Sequence, residues 1–163
     1  MDRIGLITLQ AEVMADMRAA TEAVRLAGQR LAQGDASGLE SCAYQLARTF
    51  NIIEQMGLRI AKAFENHIDD ERGWQAELVH RLSIAVPGIR PAFYEPEIIP
   101  ALRDLRGFRH VVAHAYDHQL ETDRVSIVVR HAQEATRRLP GLVEKFFRTV
   151  TTELADQSPP SGA

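Results

Sequence analysis

The sequence predicts an all-α protein, an antiparallel bundle of about five helices, and three observations carry that prediction. Apolar residues return at steps of three and four over long stretches. No segment sustains the apolar–polar alternation with β-branched enrichment that a strand requires. Turn-forming residues gather at few places, chiefly Gly34-Asp35-Ala36-Ser37-Gly38 and the set Pro87, Gly88, Pro91 and Pro96. A chain of 163 residues, 45% hydrophobic and 25% charged, is long enough for one domain with its own core. The reading assigns residues 1 to 155 to that domain and 156 to 163, polar with two prolines, to a disordered tail.

Taken in order, residues 3 to 33 place Ile4, Ile7, Ala11, Met14, Met17, Thr21, Val24 and Leu31 at helical spacing, which predicts a long amphipathic helix with Met14 and Met17 filling the core. After the turn at 34 to 38, Leu39, Ala43, Leu46, Phe50, Ile53, Gly57, Ile60 and Phe64 define a second long helix. The short connection makes it antiparallel to the first. A shorter helix is expected from Gly73 to Ala85, with Trp74, Leu78, Leu82 and Ala85 facing the core; Trp74 packs there or at a subunit contact. Pro100 suits a first helical turn, so the next helix starts near Glu97 to Pro100 and runs to about His118. Thr122 or Asp123 caps the last helix, which reaches about Leu154 with a kink or short break at Pro140-Gly141.

Several classes are set aside at this level. No apolar run approaches the roughly 20 residues that span a bilayer, and Met1-Asp2-Arg3-Ile4 lacks a signal-peptide pattern, so a cytoplasmic protein without membrane contact is expected. The single cysteine, Cys42, sits among apolar neighbours and reads as a small core residue, with a nucleophile as the lesser alternative. A net charge of −3 argues against coating nucleic acid by bulk electrostatics and leaves room for a local cationic cleft. The basic residues are seventeen Arg against two Lys, a skew that GC-rich coding also produces.

The chemistry concentrates in Arg109-His110-Val111-Val112-Ala113-His114-Ala115-Tyr116, with His118 just beyond and Arg103 and Arg106 upstream. A permanent cation, proton carriers near neutral pH and a phenol stand together here. On a regular helix Arg109 and Tyr116 share one face, while His110, His114 and His118 line the neighbouring one. Arg109 and His114 are about 140° apart around the axis, so one straight helix does not aim both at one atom. Either the helix is distorted, or the two line a groove between elements or subunits. A two-fold axis near this helix brings two copies of each into one cleft. Such a cleft suits RNA cleavage by the 2′-hydroxyl, which needs a base, an acid and a cation facing the developing phosphorane, with no metal or other cofactor.

The stretch from Leu105 to Tyr116 resembles the R-x4-H-x-Y motif of HepT-like ribonuclease toxins in the HEPN superfamily. The polar residue after the arginine, His110, also suits that pattern. The resemblance implies a homodimeric helical bundle and metal-independent endoribonuclease activity. It makes Arg109 and His114 catalytic, His110 a helper, and Tyr116 the site of AMP addition by an MntA-like minimal nucleotidyltransferase antitoxin. Arg103 and Arg106, just upstream of the motif, are read from their position as candidate RNA contacts. The chain is longer than a compact HepT, the extra length falling mainly at residues 67 to 96 and in the tail.

Plainer readings stand beside these. Arg109 is otherwise a surface arginine paired to Asp104 or Asp117, His114 a hydrogen-bonded core histidine, and Tyr116 an anchoring side chain with a wet hydroxyl. The stripe His110, His114, His118 has the spacing to share a metal ion, although nearby arginines would repel it. Arg137, Arg138, Lys145 and Arg148 either extend an RNA path or form a solvated face. The rival function is a non-catalytic HEPN-like module that binds or regulates a nucleotidyltransferase.

Overall fold

The structure is a computed structural model and describes residues 1–65, 74–113 and 120–156. Five helices make it up: α1 (Arg3–Leu31), α2 (Ala36–Phe64), α3 (Trp74–Leu82), α4 (Ile99–Ala113) and α5 (Thr122–Asp156). Among the described residues no strand forms, and a single antiparallel bridge joins Val86 to Arg90. The fold is all-α, as predicted.

Two aspartates start the long helices. Asp2 accepts the Gly5 amide at 2.8 Å and Asp35 accepts the Gly38 amide at 2.6 Å, each satisfying a donor left over at a helix N-terminus. Between them the chain reverses through Gly34 at φ +73°, a conformation that suits a residue without Cβ. Antiparallel α1 and α2 result. Helix α1 packs against α2 and α5, and α4 packs against the same two from the other side. Helices α2 and α5 also touch each other, so α1 and α4 occupy opposite corners of a four-helix bundle, and α3 lies on α2.

The α2 pattern faces the core as predicted: Ala43, Leu46, Phe50, Ile53, Gly57 and Ile60 are buried, and Leu39 and Phe64 at its ends are partly buried against them. Gly57 is the point of closest approach, since a Cβ there would meet Leu82 Cδ1 at 3.0 Å and the Tyr94 hydroxyl at 3.2 Å. In α1 the predicted stripe is wrong in phase. Val24 is buried and Met17 and Leu31 are partly buried, but Ile4, Ile7 and Met14 are 75%, 56% and 37% exposed. The core face is Leu6, Leu9, Val13, Ala20, Ala23, Val24 and Ala27. Two apolar stripes with the same period run along opposite sides of the first turns; the Ile4, Ile7, Ala11, Met14 stripe ends at Arg18, whereas the other continues to Ala27.

Helix α3 is shorter than expected. It stops at Leu82, whose carbonyl accepts the amides of Phe93 (2.7 Å) and Tyr94 (3.0 Å), and Ala85 lies beyond it, exposed. The returning loop is held by charge. Arg90, with a 1% exposed side chain, donates Nε to Glu65 at 2.7 Å and its other nitrogens to the carbonyls of Ile84 (2.8 Å) and Arg81 (2.9 Å), while Arg81 also pairs with Glu65. Burial pushes the Glu65 carboxyl up, but the hydrogen bonds from Arg90 and Arg81 outweigh it and hold the group below its usual range. The side chain of Trp74 lies outside the described residues.

Helix α4 begins with Pro100 in its first turn, as read, and its predicted extension to His118 lies outside the described residues. Helix α5 begins at Thr122 itself, and the Val125 amide bonds the Glu121 carbonyl at 3.0 Å, so Thr122 and Asp123 sit in the first turn and do not precede it as caps. Of the kink or short break expected at Pro140-Gly141, the break is absent, and the helix runs through Pro140. Pro140 is exposed, while Leu139, Leu142 and Val143 beside it are buried, so core packing holds the helix across the missing amide. Phe146 anchors this end, meeting Phe64, Phe93 and Phe147 edge-on at 5.3–5.7 Å. Among the described residues no helix is long and apolar enough to cross a membrane.

Candidate nucleic-acid interface

Helix α4 is built from the inside outward. Ala101, Leu102, Leu105 and Phe108 are buried against α2 and α5, and their spacing sets the direction of every other side chain on the helix. Arg103, Arg106 and His110 follow one another at steps of three and four, so they share a single outward face. Arg103 and His110 are exposed and Arg106 is half-buried.

Arg109 stands at the edge between the two faces. It is half-buried, and its guanidinium carbon lies 5.8 Å from the centre of the Phe50 ring on α2. A cation over an aromatic face is held by the ring quadrupole and leaves its N–H fork free to bind an anion. Asp104, one of the two carboxylates considered for it, is engaged elsewhere, its Oδ2 lying 2.5 Å from His131 Nδ1 on α5. That pairing reading is therefore corrected, because Asp104 points to a different side of α4. Asp117, the other, lies outside the described residues. So do His114, Tyr116 and His118, and the structure neither brings them to Arg109 nor separates them from it.

Beside this face lies a cavity of about 190 Å³, lined by Arg103, Arg106, Ile99 and Leu102 of α4 and by Val79, His80 and Ser83 at the end of α3. His80 and Ser83 were not singled out by sequence reasoning. Nothing local in the sequence marks them, since their neighbours across the cavity lie some twenty residues further along the chain.

The cations of α5 are disposed differently. Arg137 and Arg138 both pair with Glu134, Lys145 pairs with Glu95 at 2.7 Å, and Arg148 pairs with Glu144 at 3.5 Å. They form an exposed face of ion pairs. No such pair holds Arg103 or Arg106 among the described residues. Cys42 is buried, and burial pushes its thiol up to about 11, which makes it a poor nucleophile at neutral pH. Among the described residues no group of three or more His, Cys, Asp or Glu is arranged to hold a metal ion; of the three-histidine stripe only His110 falls within them.

A helical bundle that presents a cationic helix flank is the class of protein defined so far. Residues 41–150 match the family model described as HepT-like protein, and the chain belongs to this HEPN-superfamily family. The matched span contains α4 and also the stretch 67 to 96. No curated protein and no solved structure matches the chain.

Proposed function

We propose that this chain is a metal-independent endoribonuclease toxin of a HepT/MntA-like toxin–antitoxin system, acting on RNA in the cytoplasm. The observation that carries the reading is Arg109: within the family's matched span, a guanidinium rests on Phe50 with its hydrogen-bonding fork uncommitted to a carboxylate among the described residues.

In the proposed reaction the 2′-oxygen of a ribose attacks the adjacent phosphorus as the P–O5′ bond breaks. One histidine takes the 2′-hydroxyl proton and another protonates the departing 5′-oxygen. Arg109 faces the non-bridging oxygens, where negative charge grows. Each protomer supplies one His114, so a homodimer with α4 near the two-fold axis supplies base and acid together, with His110 supporting. Tyr116 is the control point. Transfer of AMP from ATP to its hydroxyl by a nucleotidyltransferase antitoxin, with release of pyrophosphate, places negative charge and bulk where RNA must enter.

The test is cleavage of RNA by the purified protein with a chelator present. His114→Ala and Arg109→Ala are expected to abolish it while retaining fold and oligomeric state; equal activity in those variants refutes the proposal. Intact mass after incubation with the partner and ATP tests the Tyr116 step, and an unchanged mass removes it. A second reading, a non-catalytic module that binds or regulates a nucleotidyltransferase, draws support from the exposed apolar stripe Ile4, Ile7 and Met14. It expects stable co-purification with that enzyme and no growth arrest when this chain is expressed alone.

A further inference from the structure

The cavity between α3 and α4 is cationic on one wall and apolar on its floor. Arg103 and Arg106 supply two guanidiniums, His80 an imidazole and Ser83 a hydroxyl, and among the described residues no carboxylate lines it. Asp104, next to Arg103 in the chain, faces His131, and Glu65 is engaged with Arg90 and Arg81. Two arginines one helical turn apart and free of ion pairs among the described residues repel each other across a half-enclosed space. An anion in that space relieves the repulsion and accepts planar hydrogen bonds from both. Leu102 and Ile99 give the same space an apolar surface, which a hydrated inorganic ion does not need and a sugar or base face does.

Position along α4 ties the cavity to the candidate interface. Arg106 precedes Arg109 by one turn, about 4.5 Å along the axis, and Arg103 precedes it by two turns, about 9 Å. Arg103, Arg106 and His110 share one face, so a strand whose reacting phosphate is held by Arg109 passes the cavity as it leaves along the helix. We infer that the α3–α4 cavity is a subsite for a ribose-phosphate flanking the cleaved bond in single-stranded RNA, with Arg103 and Arg106 on the phosphate, His80 and Ser83 closing the far side, and Ile99 and Leu102 beneath the sugar or base. This inference rests on the RNA reading of the same surface. It assigns binding, and no proton transfer, to these four polar residues.

The experiment measures binding and cleavage separately. Binding uses a fluorescein-labelled single-stranded RNA of mixed sequence with 2′-O-methyl riboses, which lacks the attacking hydroxyl; cleavage uses the same sequence with free 2′-hydroxyls. The combined Arg103→Gln, Arg106→Gln variant is expected to weaken binding about tenfold and to raise KM in step, with a small change in kcat. Its salt dependence should be shallower by about 0.7 in slope for each phosphate contact removed. His80→Gln and Ser83→Ala should each weaken binding less, and Arg103→Lys should restore part of it. Arg18→Gln, the loss of one positive charge on α1 at the opposite corner, should leave both KM and the slope in place.

If wild-type protein cleaves RNA and the cavity variants bind it normally, the subsite is refuted and the ribonuclease reading survives. If wild-type protein binds RNA through Arg103 and Arg106 but does not cleave it, the cavity stands as a ribose-phosphate site for single-stranded RNA and the ribonuclease reading falls. Absence of RNA binding by the wild-type protein overturns both. A fall in kcat with unchanged binding refutes the binding role. So does loss of free AMP binding in the variants with RNA binding intact, which makes the cavity a mononucleotide site.

Discussion

Helices α1 and α4 stand at opposite corners of the bundle, and each turns toward solvent a face that folding does not need. On α1 that face is Ile4, Ile7, Ala11 and Met14; on α4 it is Arg103, Arg106 and His110. Both helices bury an ordinary apolar stripe on their inner side. The difference lies in what each outer face gains from contact. An apolar stripe gains by shedding water against another apolar surface, whereas a guanidinium row without ion pairs among the described residues gains by meeting anions. Because α1 and α4 are diagonal, one two-fold contact through the α1 stripe would leave the α4 faces apart. A composite site between α4 helices therefore requires a contact that does not use that stripe, and the stripe remains available to something else.

Substitutions at the two corners separate these roles. The largest effect is expected at the α4 flank, where Arg109→Ala or His114→Ala should lower RNA cleavage by about 100-fold or more with melting temperature maintained, as measured by single-turnover cleavage and thermal unfolding. Next comes the inner stripe of α1: Leu9→Ala, at a position 6% exposed, should cost about 2–4 kcal/mol in denaturant unfolding. A change no larger than that of a surface residue would show that the buried phase of α1 is misassigned.

A smaller effect is expected from acid. The Glu65 carboxyl is held below its usual range in the folded protein, so its stabilising contribution is complete above about pH 4.3, the unfolded value, and disappears as pH falls through the lower folded value. Glu65→Gln should lower the melting temperature at neutral pH and flatten its acid dependence; an unchanged profile would remove Glu65 from the loop's support. The smallest effect belongs to the outer stripe. Ile7→Ser should change unfolding free energy by less than about 0.5 kcal/mol, and any change in oligomeric state at sedimentation equilibrium would assign that stripe to self-association.

Legibility differed between helices for one reason. Helix α2 has one apolar stripe, so period and phase coincide and the burial of Phe50, Ile53 and Ile60 follows directly. Helix α1 has two, and its period alone does not decide between Leu6, Leu9, Val13 and Ile4, Ile7, Met14. The short break, one of two outcomes expected at Pro140, weighed a local cost without the buried Leu139, Leu142 and Val143 that offset it. The α3–Pro91 region hid an ion cluster, since Glu65, Arg81 and Arg90 lie in three separate segments and none belongs to a recognisable motif.

The sequence by itself determined the all-α class, the antiparallel start and the buried face of α2. Each depends on the angle between residues a few positions apart on one helix, and helical geometry supplies that angle. Only the tertiary structure decided which stripe of α1 goes inward, placed Phe50 under Arg109, engaged Asp104 with His131 and set His80 and Ser83 across from the arginines. Those are relations between distant segments. They follow from which helices share a core, and no local period encodes that choice.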